Sequence, residues 1–413
     1  MHILFLTDNF PPEVNAPASR TFEHCREWVA AGHKVTVITC VPNFPKGKVF
    51  GGYRNWPWQR EEMSGISVIR VWSYITANEG FARRVVDYLS YMVTAIMAAP
   101  FVRNVDLVIG TSPQFFTACA AYCVSRLKRI PFVFELRDLW PESIKAVGAM
   151  NHSDILSYLE TLEIFLYRKA ALIVSVTNSF RENLGARGID VSKIRVITNG
   201  VDANSFNPRS KDSELVDRYG LEDKFVAGYI GTHGMAHALD TILDAAELLQ
   251  STEDSRDVRF LLLGDGAGKA ELMAQAKQRD LSTVIFIDTV PKHEVVRYWS
   301  LLDASIIHLK KSELFRSVIP SKLFESMGMG IPVLLGVEGE AAGIVQSEDV
   351  GLVFEAQSAE ALCHRLNELR RDNDLRMRLS QNGPVAARNY DRKALAIVMA
   401  KALQETLETS KRR

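Results

Sequence analysis

Short apolar runs that alternate with helical patterns constrain the fold of this 413-residue chain more than any other feature. In the first half the runs contain few alternating polar residues, which is typical of strands buried on both faces of a parallel sheet. These predicted strands are residues 3–6, 35–39, 68–72, 107–110, 132–135 and 171–176. The predicted helices between them are residues 21–31, 85–102, 115–127 and 155–169. Strands separated by helices indicate right-handed βαβ units.

The second half repeats this pattern after a polar stretch at residues 204–214. Its predicted strands are residues 227–230, 259–263, 284–287, 304–308, 333–335 and 352–354, with helices at 240–249, 269–278, 292–302, 321–327 and 359–372. We therefore predict the α/β class, with two Rossmann-like doubly wound parallel-sheet domains at residues 1–200 and 201–385. A C-terminal helix within 386–413 is expected to be able to cross back to the first domain. Ligands of such sheets bind at the strand ends, which predicts a site in a central cleft that the two domains face.

Composition excludes several function classes. Lys plus Arg and Asp plus Glu number 49 each, so the chain has no overall charge that would favour nucleic acid. Its five cysteines are scattered among apolar residues, which favours reduced thiols in the cytoplasm. The histidines lack the close pairing of metal ligands, so we expect no metal. No G-x-G-x-x-G motif follows the first strand of either half, and the first residues resemble a short strand more than a signal peptide.

The helix predicted near residues 85–102 is strongly apolar, but Asp87 and Pro100 interrupt it, so it is not expected to span a membrane. Arg83 and Arg84 stand at its head. Two interpretations remain open: a buried helix of the first domain, or a surface helix in peripheral contact with an anionic membrane through residues 81–102.

The segment at residues 315–333 carries the strongest chemical signal. Ser321 follows a proline and is expected to cap a helix through its hydroxyl. Lys322 and Glu325 are three residues apart and share one face of that helix. Helix-end amides and Lys322 suit the diphosphate of a nucleotide sugar, and the carboxylate suits ribose hydroxyls. An ordinary strand–loop–helix is an equally weighted alternative for these residues alone.

Two glycine-containing loops in the second half follow predicted strands. The first has the order Gly231, Thr232, His233 and Gly234, and the second has the order Gly264, Asp265 and Gly266. The first loop is a candidate diphosphate cradle, with a plain turn as the alternative. The second is a tight loop against which a base could lie, which is a weak signal alone.

In the first half, residues 8–20 form a loop stiffened by prolines, which we expect to line the cleft or the acceptor site. Its candidate residues are Asn15, Ala16, Ser19 and Arg20. A second loop at residues 135–143 contains Arg137 and Asp138, whose alternative role is a structural salt bridge. At the boundary between the halves, Asn199 is expected to support a turn in which Gly200 has positive φ.

In their order and spacing along essentially the whole chain, these motifs resemble family 4 of the retaining glycosyltransferases, which have the type B fold. The 231–234 loop, the 319–322 segment and residues 336–341 with Glu340 are most similar to those of the bacterial O-antigen and capsule subgroup, which includes N-acetyl-L-fucosaminyl transferases. The resemblance implies transfer of a sugar, with retention, from a UDP-sugar to a lipid-linked saccharide acceptor in surface polysaccharide biosynthesis, without a metal. A UDP-sugar 2-epimerase and a non-catalytic nucleotide-sugar-binding protein are the alternatives.

The resemblance also implies residue roles. Glu325 corresponds to the second glutamate of the family's E-x7-E motif, which holds the donor ribose, whereas Ser317 occupies the position of the first. Arg137 and Asp138 take the place of a common His-Asp pair. The residues expected to act in catalysis are Lys322, His233, Arg137 and Asp138. Those expected to bind the donor are Gly231, Thr232, Gly234, Gly264, Asp265, Gly266, Ser321, Glu325, Asn199 and Glu340.

Overall fold

The computed structural model describes residues 1–44, 47–76, 81–112, 114–139 and 154–411. Within this description the chain forms two compact units, Met1–Thr198 with Arg392–Arg413, and Asn199–Asp391. We call them the first unit and the second unit.

The first unit is built on a sheet of eight strands. These are β1 (His2–Leu6), β2 (Lys34–Cys40), β3 (Trp58–Met63), β4 (Ile66–Val71), β5 (Leu107–Thr111), β6 (Phe132–Leu136), β7 (Leu172–Ser175) and β8 (Ile194–Val196). Their order is β3-β4-β2-β1-β5-β6-β7-β8, and every pair is parallel except β3 with β4. The central strand β1 is buried at each residue, as the continuous apolar pattern predicts.

Helices cover this sheet. They are α1 (Ala16–Ala30), α2 (Phe81–Ala98), α3 (Phe115–Lys128), α4 (Asp154–Lys169) and α5 (Asn178–Ala186). The last helix of the chain, which we number α14 (Arg392–Lys411), also belongs to the first unit. It packs on α1, where the indole Nε1 of Trp28 donates to the carbonyl of Ala396 over 2.8 Å.

The second unit contains six parallel strands in the order β11-β10-β9-β12-β13-β14. They are β9 (Phe225–Ile230), β10 (Val258–Leu263), β11 (Val284–Ile287), β12 (Ala304–His308), β13 (Val333–Gly336) and β14 (Gly351–Val353). The helices are α6 (Ser213–Tyr219), α7 (Asp240–Gln250), α8 (Lys269–Gln278), α9 (Val295–Trp299), α10 (Lys322–Met329), α11 (Glu340–Ser347), α12 (Ala359–Arg371) and α13 (Asn373–Ala387). Apolar clusters lie on both faces of this sheet, so the predicted doubly wound architecture is confirmed.

Several sequence-based expectations are corrected. Strands β3 and β8 and helices α5, α6, α11 and α13 were not predicted. Helix α1 begins at Ala16, five residues before the predicted start, because the side chain of Asn15 accepts from the amide of Ala18 over 2.8 Å. Gly200 does not have positive φ, so the turn expected there is wrong.

Among the described residues, no helix is long and apolar enough to cross a membrane. The same part of the chain contains no group of three or more histidine, cysteine or acidic side chains arranged to hold a metal. All five cysteines are free thiols, and only Cys123 is exposed.

Candidate active site

The candidate donor site of the second unit lies where neighbouring parallel strands end. β9 and β10 are hydrogen-bonded neighbours, and the glycine loops at 231–234 and 264–268 follow them directly. β9 also pairs with β12, after which the chain reaches α10 with Lys322 at its first position. Carboxyl ends of adjacent parallel strands meet at one edge of a sheet, so these three segments converge.

The two glycine loops are joined through their backbones. The amide of Gly231 donates to the carbonyl of Leu263 and the amide of His233 to the carbonyl of Asp265, both over 2.9 Å. In return the amide of Gly268 donates to the carbonyl of His233 over 2.9 Å. The Gly231 and His233 amides are therefore already bonded, so the expectation that the whole 231–234 loop offers its amides to phosphate is corrected for these two.

Close packing of the loops explains the glycines of the second one. At Gly264, where φ is 146°, a Cβ atom would overlap the carbonyl oxygen of Gly231. At Gly266 a Cβ would lie 2.5 Å from the carbonyl oxygen of His233. These glycines let one loop support the other, whereas Asp265 points outward and is exposed.

Lys322 lies against the supported loop. Its Nζ is 3.6 Å from the ring centroid of Tyr229, and a Cβ at Gly231 would come within 2.8 Å of that Nζ. Burial lowers the pKa of Lys322 to about 7, although the carboxylate of Glu325 opposes this shift. The structure therefore brings together Lys322, Glu325 and the 231–234 and 264–266 loops. Among the described residues, no acidic side chain is hydrogen-bonded to the Nζ of Lys322.

His233 is buried in the loop that follows β9. Its side chain is fully buried, and neither ring nitrogen has a hydrogen-bond partner within the described residues. Burial, followed by the charges of Lys269 and Lys322, lowers its pKa to about 4. The ring is therefore neutral near pH 7 in the free protein, and the part of His233 in catalysis remains a prediction.

The N-terminus of α10 offers two backbone amides that could bind an anion. Ser321 precedes the helix, but its hydroxyl makes no capping bond, so the predicted side-chain cap is wrong. The amides of Leu323 and Phe324 donate to the carbonyls of Pro320 and Ser321. Across the described residues, the amides of Ser321 and Lys322 show no such acceptor. Two open amides beside an ammonium form a site suited to an anion.

Three residues that we did not single out complete this region. The hydroxyl of Tyr229 donates to the carbonyl of Thr232 over 2.7 Å, which fixes the ring under Lys322. Lys269 is buried and its Nζ donates to the carbonyl of Gly264 over 2.9 Å and to Asp288 over 2.6 Å. The ring of His237 lies 5.7 Å from that of Tyr229. These contacts could not be predicted from the sequence, because Lys269 lies in a helix and Tyr229 in a strand without a recognisable motif.

Other predicted donor residues are less closely tied to Lys322. Glu340 is the first residue of α11, and Asn199 is the first residue of the second unit. Both are half-buried, and their assignment to the donor remains a prediction. Ser317 donates its hydroxyl to the carbonyl of Leu314 over 2.6 Å, so it has a local partner in a short 3-10 turn.

In the first unit, Arg137 and Asp138 follow β6 as predicted. Both amides donate to the hydroxyl of Ser112, over 2.8 and 3.2 Å. Burial raises the pKa of Asp138 to about 7, while burial lowers the pKa of Arg137 to about 10 against the opposing charge of Glu135. The rest of this predicted loop, residues 140–143, lies outside the described residues.

The predicted acceptor residues belong to α1 and its cap. Arg20 is 3% exposed; it donates to Glu135 over 3.0 Å and to the carbonyls of Thr198 and Ile197 over 2.6 and 3.0 Å. This is a structural role, in place of the acceptor contact that the sequence suggested. Ser19 is also buried and Asn15 caps the helix that Ala16 begins, so these residues form the helix start and not a loose loop.

Comparisons with known proteins agree with this geometry. The profile of the glycosyl transferase 4-like domain matches residues 15–200, and that of glycosyl transferases group 1 matches residues 212–385. WcaI of Escherichia coli (strain K12), which carries the name of a colanic acid biosynthesis glycosyl transferase, is 24% identical over 88% of this chain and 90% of its own.

Solved structures show the same fold at low identity. Sucrose-phosphate synthase of Thermosynechococcus elongatus has a TM-score of 0.76 at 14% identity and covers 99% of both chains. HepE of Anabaena, solved with UDP and glucose, has a TM-score of 0.72 at 16% identity over 97% of this chain and 99% of its own. With two profiles of one enzyme family matched in order along two doubly wound units, the chain belongs to the group 1 glycosyltransferases of family 4 and has the type B fold.

Proposed function

We propose that the protein transfers a sugar from a UDP-sugar to a lipid-linked saccharide acceptor, with retention at the anomeric carbon, in bacterial surface polysaccharide biosynthesis. The observation that carries the proposal is the position of Lys322 beside Gly231 and next to two open amides at the start of α10. UDP as the nucleotide is supported by the UDP and glucose bound in HepE. The name of WcaI supports a polysaccharide product.

Sugar transfer develops negative charge on the leaving diphosphate. Lys322 and the amides of Ser321 and Lys322 would stabilise that charge most strongly in the transition state, because they are fixed before the reaction begins. Glu325, one turn along α10, would accept the ribose hydroxyls. The first unit would bind the acceptor, with Arg137 and Asp138 as its candidate polar residues.

The proposal also includes the identity of the donor sugar and a reaction that needs no metal. The resemblance to N-acetyl-L-fucosaminyl transferases makes UDP-N-acetyl-L-fucosamine the first donor to assay, beside UDP-glucose. Undiminished turnover in excess EDTA is expected if no divalent metal takes part.

The test incubates the protein with each UDP-sugar, with and without lipid-linked saccharide, and follows both UDP release and the donor itself. We expect UDP only when acceptor is present, together with a product of retained anomeric configuration. An isomerised donor formed without acceptor would identify an epimerase. No turnover of any donor, together with tight UDP binding, would identify a binding protein.

Lys322→Met provides the internal check on the site. Loss of a fixed group of this kind typically lowers turnover by ~10²–10³. Lys277→Met is the matched control, because Lys277 is an exposed lysine on α8 of the same unit. Equal activity of the two variants would show that the diphosphate binds elsewhere.

A further inference from the structure

Helix α2 carries an apolar stripe that faces away from the first unit. Val86, Leu89, Val93 and Met97 are 50%, 36%, 50% and 67% exposed, and Phe101 in the short turn after the helix is 70% exposed. Their spacing of three to four residues places them along one side of the helix. The opposite side is buried through Tyr91, Ala95 and Ala98. The helix is therefore not the buried helix of the first interpretation, since one of its sides is exposed and apolar.

Two tryptophans extend this stripe across the edge of the sheet. The ring of Trp58, on β3, lies edge-on to that of Phe101 with centroids 5.6 Å apart. Thr94 of α2 donates its hydroxyl to the carbonyl of Trp72 over 2.8 Å, which holds the end of β4 against the helix. Trp58 and Trp72 are 37% and 40% exposed. We call the stripe and these two tryptophans the apolar face.

Positive charge flanks the apolar face. Arg83 and Arg84 are exposed at the head of α2, and Arg103 is exposed just beyond its end. Arg84 also donates to the hydroxyl of Tyr88 over 2.8 Å, which holds its guanidinium close to the helix.

Acidic groups also lie near the same region. Asp87 is half-buried, and burial raises its pKa to about 7, with the charge of Asp8 adding to the shift and that of Arg84 opposing it. Glu62 is exposed on β3, but it pairs with Ser67 at the opposite end of that strand pair from Trp58. Arg83 and Arg84 therefore exceed Asp87 in charge at the start of the helix, and Arg103 at its end is exposed, whereas the nearby Asp106 is half-buried and accepts from the amide of His2 over 2.6 Å.

We propose that the apolar face docks on an anionic lipid bilayer, with the side chains of α2 in the interfacial region and the arginines at the headgroups. Large exposed apolar surfaces on soluble domains mark interaction sites. Tryptophans at the edge of an apolar stripe and arginines at its ends suit the layered polarity of a membrane surface. Flanking positive charge also favours an anionic surface over a second copy of this chain, which would present the same charge.

Docking of the apolar face would add a lipid bilayer as a partner of the proposed function. This proposal does not depend on the donor site. A lipid-linked acceptor would be presented by the same bilayer. Because vesicle binding needs no reaction, failure of the docking proposal and failure of the transfer proposal give different results.

The test is sedimentation of the full chain with vesicles of phosphatidylcholine alone or mixed with phosphatidylglycerol. We expect binding to the mixed vesicles that weakens with salt, and little binding to phosphatidylcholine. Arg83→Gln with Arg84→Gln should weaken partition by about fivefold for each arginine, or about 25-fold together. Val93→Glu with Met97→Glu should abolish measurable binding, since charged side chains would then replace the centre of the stripe.

Ile397→Glu with Val398→Glu is the matched control. These residues are 56% and 54% exposed on α14 of the same unit, which packs on α1. The control should bind vesicles like the unmodified protein, and all variants should keep its melting temperature and its activity on a water-soluble acceptor. Equal loss in the control, or full binding by the Val93 and Met97 variant, would overturn the proposal.

Two further readouts identify the occupant. In a background of Trp56→Phe with Trp140→Phe, brominated phosphatidylcholine in the mixed vesicles should quench the fluorescence of Trp58 and Trp72, and adding Trp58→Phe with Trp72→Phe should remove that quenching. Trp28 and Trp299 are buried and should not respond. A concentration-dependent dimer in lipid-free solution that Val93→Glu with Met97→Glu dissociates would instead assign the face to a second copy and overturn membrane docking.

Discussion

At the scale of single residues, Lys322 is the group whose chemistry most depends on its surroundings. Burial lowers the pKa of Lys322 to about 7 in the free protein, so its side chain is mostly a neutral amine at pH 8. A bound diphosphate favours the charged form, so its arrival should raise the pKa of Lys322 and draw a proton from solution. UDP itself is fully ionised at pH 8, because its terminal phosphate has a pKa of ~6.

Titration calorimetry at pH 8 in buffers of different ionisation enthalpy measures this proton directly. We expect net proton uptake on UDP binding at pH 8, falling toward zero as the pH drops below the pKa of Lys322. Lys322→Met should bind UDP more weakly and without proton uptake, whereas Lys277→Met should behave like the unmodified protein. Binding that takes up no proton at pH 8 would contradict either the lowered pKa or the contact with the diphosphate.

The positions of single residues were predicted correctly where they follow from the order of strands and loops along the chain. Lys322 was predicted correctly to lie beside the 231–234 loop, because both follow neighbouring strands of one parallel sheet. The state of His233 could not be predicted, since its neutral ring results from burial and from the charges of Lys269 and Lys322. Arg20 was misassigned for the same reason, because its acid partner Glu135 is 115 residues away in the chain.

At the scale of elements, the two glycine loops act as one support for Lys322. Gly264→Ala would place a methyl group onto the carbonyl of Gly231, at a φ of 146° that side chains rarely adopt. The loops must then separate, which we expect to destabilise the protein by ~1–3 kcal/mol. UDP affinity should fall as well, because Gly231 moves relative to Lys322.

Gly343→Ala is the matched control for this change. Gly343 lies inside α11 of the same unit with open space around its Cβ position, so alanine should stabilise the helix by ~0.5–1 kcal/mol. Thermal unfolding and UDP titration of both variants check the pair. Unchanged UDP affinity in Gly264→Ala would show that the second loop does not position the first.

Strands were predicted best where they are continuous apolar runs, including the half-buried edge strands β11 and β14. All six strands of the second unit were predicted, since each is a short apolar run between helices. Strand β3 was missed because its residues alternate between exposed and half-buried, as an edge strand with one solvated face does. The early start of α1 was missed because we took the prolines of residues 11–17 as a loop, although Pro17 occupies a helix-start position that proline tolerates.

At the scale of the whole molecule, each unit has its own apolar core, so a local change should stay within its unit. Arg20 tests this independence. Arg20→Met leaves the carboxylate of Glu135 buried without its closest cation, and breaking such a pair typically destabilises a protein by ~3–5 kcal/mol. Arg20→Met with Glu135→Leu removes both charges and should recover much of that loss.

Hydrogen exchange followed by mass spectrometry separates the two units. In Arg20→Met we expect faster exchange in β6 and β1 of the first unit and unchanged exchange in β9 and β10. UDP should slow exchange in residues 229–235 and 263–269 in both proteins, because the ligand binds the folded second unit and not its opened form. If Arg20→Met also accelerated exchange in β9, or removed the UDP protection there, the two cores would be energetically coupled and the donor site would depend on the first unit for its stability.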